Sequence, residues 1–135
     1  MNQNRYDEFI LAIQLSQIDE VKRLIPLCNP KHNDSAALWH AATIGNVECL
    51  QLLVPVCDPK ASNSLALRCA LYYQHTDCVV LLHPLSNVKT ALKYLNAEYD
   101  DIDWGQRLDT IAAQYQQRVL NAAVKPTTLH RTKKI

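Results

Sequence analysis

The sequence predicts an all-α protein in which short helix pairs stack side by side as a repeat solenoid, with shortened loops and a longer C-terminal capping helix. The first observation is a phrase that begins at Pro26, Pro55 and Pro84, and so recurs every 29 residues. The second is a set of apolar columns with the same step. Two of them are Ala12/Ala41/Ala70 and Leu24/Leu53/Leu82. A constant period of this size indicates repeated units that bury their apolar faces on one another.

The unit 35–63 shows the two-helix pattern most clearly. Ser35 is expected to cap its first helix, and Gly45 with Asn46 is expected to end that helix and start the second. Pro55 ends the second helix, because proline cannot continue the hydrogen-bond ladder. The polar residues that follow have the composition of a turn.

The flanking units, about 6–34 and 64–92, repeat this plan, with Ser16 and Gln74-His75 at the position of the Gly45 turn. Helices of this length are marginal when isolated, since nucleation is costly and few hydrogen bonds follow it. Each unit must therefore pack against its neighbours.

A degenerate C-terminal cap, 88–124, is predicted to contain one short helix and a longer closing helix. Asp103 and Gln106 have the spacing of a capping box at the start of the longer helix. Its apolar stripe is expected to be buried, and consists of Leu108, Ile111, Ala112, Tyr115, Val119 and Ala122. The prediction is thus one domain, 1–124, followed by a basic, disordered tail, 125–135.

Composition limits the possible functions. No apolar run approaches the roughly 20 residues that a membrane span needs. The five cysteines are mostly repeat equivalents, and they suggest reduced thiols in a cytoplasm, either of the producing cell or of a host.

A zinc site around His40 and Cys69 lacks the usual ligand spacing. The acidic cluster Asp100, Asp101 and Asp103 is better explained by helix capping than by metal binding. Because no catalytic constellation is recognisable, we expect no enzyme, no cofactor and no metal.

Residues 37–53 resemble the ankyrin repeat, and the resemblance covers about residues 6–95. The matching positions are Leu38, Ala41, Ala42, Gly45, Leu52 and Leu53, and in the next unit Leu67, Ala70, His75, Val79, Leu81 and Leu82. The family period is about 33 residues, so each unit here is about four residues short, and the shortening falls in the loop. The resemblance therefore implies that the β-hairpin fingers of that family are clipped or absent.

The resemblance also implies a concave binding face on the inner helices, where the two positions after the Ala-Ala pair are the most exposed. These positions are Thr43 and Ile44 in one unit and Tyr72 and Tyr73 in the next, with Gln14 and Leu15 before them, and adjacent columns add Trp39 and Arg68. Tyr, Trp and Arg contribute most of the binding energy in many protein interfaces. The alternative is that Trp39 and one tyrosine simply cover the alanine-rich seam between units.

A second surface feature is a ladder of one lysine on each loop, Lys31, Lys60 and Lys89. With the basic tail, this ladder could bind nucleic acid or a nucleoprotein. However, residues 1–124 hold 10 basic against 13 acidic side chains. Nucleic-acid-binding domains normally have a basic excess, because phosphate neutralisation supplies much of their affinity.

The expected function is therefore a protein-binding module that inhibits, masks or scaffolds a macromolecular partner. The resemblance is compatible with a bacterial or viral inhibitor, an immunity-type protein or an effector. Nucleic-acid binding through the lysine ladder and tail is the alternative. The chain is expected to be a monomer or a weak homodimer formed through the tyrosine face.

Overall fold

The computed structural model describes the backbone of residues 3–134 and the side chains of residues 4–123. Within this range the chain forms eight α-helices and no strand. The helices are α1 (Gln3–Gln14), α2 (Ile18–Leu24), α3 (His32–Ile44), α4 (Val47–Leu53), α5 (Ala61–Tyr72), α6 (Thr76–Leu82), α7 (Val88–Glu98) and α8 (Trp104–Lys134). The odd-numbered helices pack on one another as an inner layer, and the even-numbered helices form an outer layer. The predicted all-α helical repeat solenoid is confirmed.

In the first three helix pairs, the turn from the inner to the outer helix uses one left-handed residue. Ser16, Gly45 and Gln74 have φ angles of 56°, 86° and 59°, and they are separated by the same step of 29 residues. After Gly45, the Asn46 side chain caps α4 by accepting a hydrogen bond from the backbone N–H of Cys49 at 3.0 Å. The break that the sequence predicted at this point is thus present.

Each outer helix of the first three pairs ends in a 3₁₀ turn that contains the repeated proline. These turns are Ile25–Leu27, Val54–Val56 and His83–Leu85. Proline suits the start of such a turn, because its fixed φ is helical and its missing N–H would be unpaired there anyway.

Near its start, each of α3 and α5 is interrupted by a turn of three successive left-handed residues, 33–35 and 62–64, with φ between 53° and 59°. Ser35 and Ser64 end these turns and are buried. Their hydroxyl oxygens accept hydrogen bonds from the backbone N–H groups of Asp58 and Asn87, both at 2.9 Å. The expectation that Ser35 caps its own helix is therefore wrong. The left-handed turn directs its hydroxyl to the loop of the next unit, so Ser35 and Ser64 join successive units.

The core lies between the two layers. Small side chains on the inner helices, such as Ala41, Ala70 and Ala91, are fully or almost fully buried, which lets these helices approach closely. The outer helices contribute the repeated leucine column, which is completely buried: Leu24, Leu53 and Leu82.

Helix α8 begins directly after Asp103, where the sequence predicted the start of the closing helix. Asp103 accepts a hydrogen bond from the backbone N–H of Gln106 at 3.0 Å, as a helix cap does. Trp104 is fully buried, and its indole N–H donates to the carbonyl oxygen of Tyr99 at 3.0 Å. The first turn of α8 thereby closes the end of the inner layer.

The predicted burial of the α8 stripe is wrong at Ala112, Val119 and Ala122. Ile111 is buried and Leu108 and Tyr115 are half-buried, whereas Ala112, Val119 and Ala122 are exposed. For Val119 and Ala122 the reason is length, because α8 has 31 residues and the outer helix beside it, α6, has only seven.

The helical backbone of α8 continues through Lys134. The disorder predicted for the tail, 125–135, stays a prediction. The side chains from Val124 onward and all of Ile135 lie outside the described residues. The charges of the basic tail therefore have no described positions.

Candidate protein-binding surface

The solvent-facing side of α1, α3, α5 and α7, with the residue that follows each helix, is here called the inner-helix face. Most of the exposed large apolar and aromatic side chains lie on it: Leu11, Leu15, Ile44, Tyr72, Tyr73, Tyr94 and Tyr99. By contrast, the outer helices α2, α4 and α6, which lie wholly within the described residues, expose no large apolar side chain. In the first three helix pairs, large exposed apolar side chains therefore belong to the inner helices and not to the outer ones, while α8 exposes Val119 and Leu120.

Tyr72 and Tyr73 are both accessible at the middle of the inner-helix face. They are 39% and 51% exposed, and their rings meet edge to face with centroids 4.9 Å apart. Tyr72 also lies 4.9 Å from the ring of Tyr99 and 6.2 Å from that of Trp104. Tyr72 is thus supported by the cap, while Tyr73 extends further into solvent.

An open pocket lies between α5 and α7 and has a volume of about 340 Å³. This tyrosine pocket is lined by Leu65, Arg68, Cys69, Tyr72, Tyr73, Leu95, Glu98 and Tyr99. Sequence reasoning missed the α7 contribution, because it treated residues 88–124 as a degenerate cap. The step of 29 residues places Tyr94 and Glu98 in the columns of Leu65 and Cys69, and this signal could have identified α7 as a further inner helix.

The Arg68 side chain is held by contacts within its own chain. Its side chain is 14% exposed, and its guanidinium donates to the backbone oxygens of Ser62 at 2.8 Å and Asn63 at 3.2 Å. The same group lies 5.1 Å from the ring centre of Tyr94 and 3.5 Å from the Glu98 carboxylate. Arg68 therefore ties the left-handed turn near the start of α5 to helix α7.

Trp39 and Thr43 line the α3 part of the face and are half-buried. The Trp39 ring stacks on His40 with centroids 4.1 Å apart, and the Thr43 hydroxyl donates to the Trp39 carbonyl oxygen at 2.8 Å. Trp39 and His40 also line a groove of about 580 Å³ between α1 and α3, together with the exposed Leu11. Burial lowers the pKa of His40, so its imidazole is neutral in this groove at neutral pH.

A family model for ankyrin repeats in three copies matches residues 9–92. The chain belongs to the ankyrin-repeat family. Ankyrin repeats are generally protein–protein interaction modules. Searches of curated proteins and of solved structures gave no match.

His75 has a structural position in this ankyrin-repeat protein. Its Nε2 donates to the carbonyl oxygen of Thr43 at 2.9 Å. The ring also lies against Gly45, close enough to leave no room for a side chain at that residue. His75 thereby joins the turns of two neighbouring ankyrin units.

The lysine ladder lies on the loops and does not line the tyrosine pocket. Lys31, Lys60 and Lys89 are exposed. The backbone N–H groups of Lys31 and Lys60 donate to the side chains of Asn29 and Asp58 at 3.1 and 3.0 Å, which forms the same turn in two ankyrin units. Phosphate binding by this ladder stays a prediction.

The five thiols are free, and burial makes them poor nucleophiles. Burial raises the pKa of Cys49 and Cys78 to about 11, and that of Cys57 to about 12.

In the part of the chain that the structure describes, no group of three or more His, Cys, Asp or Glu side chains could hold a metal ion. No described helix of this ankyrin-repeat protein is both long and apolar enough to cross a bilayer.

Proposed function

We propose that the chain binds a protein through the inner-helix face and, by covering that protein, inhibits, masks or scaffolds it. The observation that carries the proposal is the contrast between the layers. Large apolar and tyrosine side chains are exposed on α1, α3, α5 and α7 and on the residues that follow them, whereas the outer helices α2, α4 and α6 expose none; on α8, Val119 and Leu120 are exposed. Interface cores are enriched in aromatic residues, and their energetic centres are often Tyr, Trp and Arg.

The dimensions of the face suit an extended segment of a partner. Neighbouring packed helices lie about 8–10 Å apart, so four inner helices span roughly 30 Å. An extended chain advances about 3.3 Å per residue, so about nine residues would cross the face from α1 to α7. Such a segment would meet the Trp39 groove first and the tyrosine pocket last.

The short loops support the same face. In two units they are left-handed turns whose serines, Ser35 and Ser64, are bonded to the next loop. These loops join units instead of projecting, so most large exposed side chains belong to the helices. We place the binding in a cytoplasm, because a reducing compartment suits five free thiols.

The test compares two exposed double variants in a pull-down from lysate of the native host. The inner variant, Ile44→Ala with Tyr73→Ala, removes side chains that are 38% and 51% exposed. The matched control, Leu27→Ala with Leu85→Ala, removes side chains of the 3₁₀ turns that are 41% and 37% exposed. We expect the inner variant to bind its partner about tenfold or more weakly, and the control to bind as the unmodified chain does.

Equal recovery of the same proteins by both variants would show that the inner-helix face is not the binding surface. A photo-crosslinking amino acid at position 73, compared with one at position 85, gives an independent answer. We expect crosslinks from position 73 only. Light scattering on the same samples shows whether the partner is a second copy of this chain.

A further inference from the structure

Helix α8 exposes an apolar strip on a side that does not pack against the core. Val119 and Leu120 are 47% and 57% exposed. Successive residues of an α-helix are turned by about 100°, so residues three, four and seven positions apart share a side. The other exposed residues on this side are small or uncharged: Ala112, Ala113, Gln116 and Ala123. These six residues are here called the α8 strip.

The α8 strip is separate from the side that holds α8 on the body. Trp104 and Ile111, which are buried, point about a third of a turn away from it. Arg118 is the only charged residue from 110 to 123, and it pairs with Asp77 of α6 at 2.9 Å. The strip itself is therefore uncharged, and no helix in the described part of the chain covers it.

An open groove of about 380 Å³ extends the strip towards α6. Ala112 and Gln116 line it on the α8 side, and Val80 and Pro84 line it on the other side. A helix laid along the strip would therefore also contact α6 and the 3₁₀ turn that follows. None of the groove residues lines the tyrosine pocket or the groove between α1 and α3, so this surface is distinct from the inner-helix face.

The order of residues along the strip makes it complementary to itself. Ala112 and Ala113 lie on one side of Gln116 in the sequence, and Val119 and Leu120 lie on the other. When two strips run antiparallel with a two-fold axis at Gln116, Ala112 faces Val119 of the second copy and Ala113 faces Leu120. A parallel pair would instead place large side chains on large ones and small on small. Two-fold interfaces require this kind of self-complementarity.

We propose that the α8 strip binds a second copy of this chain as an antiparallel helix pair. The alanines let the two helices approach closely, and the two Gln116 amides can hydrogen-bond to each other across the axis. Because the strip is uncharged, no like charges meet along it. The inference does not depend on the proposed function, since the inner-helix faces of both copies stay open in such a pair.

The size of the contact predicts a weak, reversible dimer. Residues 109–123 overlap in this pair and form about 22 Å of helix, and half the surface of a helix of that length and about 10 Å in diameter is about 350 Å². Two such surfaces, with the α6 sides of two grooves, approach the total of about 1,000 Å² at which specific interfaces begin. We therefore expect a Kd of about 10–300 µM.

The test is sedimentation velocity of the full chain from about 5 to about 500 µM, a range that brackets this Kd. We expect the weight-average mass to rise from one chain towards two. Ala113→Leu adds a large side chain where the second copy already has Leu120, and Leu120→Ala removes a large one. Each substitution should raise the Kd about tenfold or more, because every change occurs twice in a dimer. Alanine and leucine are both strong helix formers, so the variants should fold.

The double variant Ala113→Leu with Leu120→Ala exchanges the two members of the pair. In the proposed register, the new leucine faces the new alanine of the second copy, so the Kd should return to within about threefold of the original value. As a control, Ile44→Ala with Tyr73→Ala changes the inner-helix face and should leave the Kd unchanged. Circular dichroism on every variant confirms that it is helical.

Cysteine crosslinking gives an independent measure of the axis. In Gln116→Cys the two new thiols lie opposite each other, within the range that a disulfide can bridge between closely packed helices. Gln114→Cys is the matched control, because residue 114 is also exposed but lies on the opposite side of α8. Under mild oxidation, we expect a disulfide-linked dimer from Gln116→Cys and none from Gln114→Cys.

Each outcome bears on the inference. A mass of one chain at every concentration overturns it, because the strip then has no second copy as its occupant. A dimer that survives both single substitutions, or one that Ile44→Ala with Tyr73→Ala abolishes, shows that the copies meet elsewhere. Failure of the double variant to restore the Kd, or equal crosslinking at positions 114 and 116, overturns the antiparallel register about Gln116.

Discussion

Replacing Gly45 by alanine tests how the ankyrin units are joined. Gly45 has a φ angle of +86°, and a Cβ built on it would lie 2.5 Å from Nδ1 of His75 and within 2.7 Å of two other ring atoms. The ring has little freedom to move, because its Nε2 is hydrogen-bonded to the Thr43 carbonyl oxygen at 2.9 Å. Gly45→Ala must therefore strain the turn or displace His75.

The expected cost has two parts. A residue with a Cβ in the left-handed region costs about 1–2 kcal/mol. Displacing His75 loses one hydrogen bond between units, which contributes about 0.5–1.5 kcal/mol. The free energy of unfolding should therefore fall by roughly 2–3 kcal/mol, a large part of the stability of a typical domain.

The assay is urea unfolding followed by circular dichroism, with the other of the two glycines as a control. A Cβ added at Gly105 has its nearest contact at 3.6 Å, from Asp103 Oδ1, and this residue lies in helix α8. Because alanine favours helix over glycine, Gly105→Ala should be neutral or stabilise the protein by up to about 1 kcal/mol. The two substitutions thus have opposite expected signs.

A double-mutant cycle with His75→Ala supplies the refutation. If the ring is the obstacle, Gly45→Ala should cost about 1 kcal/mol less when His75 is already alanine. A cost below about 0.5 kcal/mol for Gly45→Ala alone would contradict the reasoning, since surface substitutions commonly have effects of that size. An equal cost with and without the His75 ring would also contradict it.

Three further predictions concern the contacts between units, the closing helix α8 and the thiols. Ser64→Ala should lower the free energy of unfolding by about 1–3 kcal/mol, because it leaves the backbone N–H of Asn87 without its hydrogen-bond acceptor. Ser62→Ala, at the exposed start of the same turn, should change the free energy of unfolding little, and equal effects of the two substitutions in urea unfolding would contradict the prediction. Trp104→Ala should lower stability by about 3–5 kcal/mol in the same assay, and a cost below 1 kcal/mol would mean that the cap is not packed as described. At neutral pH, iodoacetamide should leave the most deeply buried thiols unmodified in the folded chain and should label them in urea. Mass spectrometry measures the labelling, and equal labelling in both conditions would be inconsistent with the raised pKa values of these thiols. These thiols are Cys49, Cys57 and Cys78.

The repeat made most of the fold predictable. The same helix-ending and turn residues occur at the same positions of each unit, so one interpretation had to fit all the units. The exceptions depend on contacts that are distant in sequence. Ser35 has the residue type of a helix cap, but its partner is the backbone of Asp58, 23 residues away. Similarly, the period of the α8 stripe indicates which face is apolar. It does not indicate whether another helix lies against that face.

The sequence could predict which residue types lie on the inner-helix face. It could not predict which of those side chains are bound within the chain. The resemblance placed Tyr73 at an exposed inner position, and the structure exposes it. It placed Arg68 on the same face, yet the guanidinium is held by the backbone of residues 62 and 63 and by Glu98. No local pattern distinguishes an arginine that is free for a partner from one that is bound within its chain.

The cap and the tyrosine pocket depend on each other. Trp104 anchors the start of α8 by donating to the Tyr99 carbonyl oxygen, and its ring lies beside Tyr72 and Tyr99. Arg107 stacks on Trp104 and bonds to the Tyr72 backbone. The first turn of α8 therefore supports two of the three pocket tyrosines from behind. A helix that closes the core of the array thus also determines the shape of the surface proposed to bind a partner.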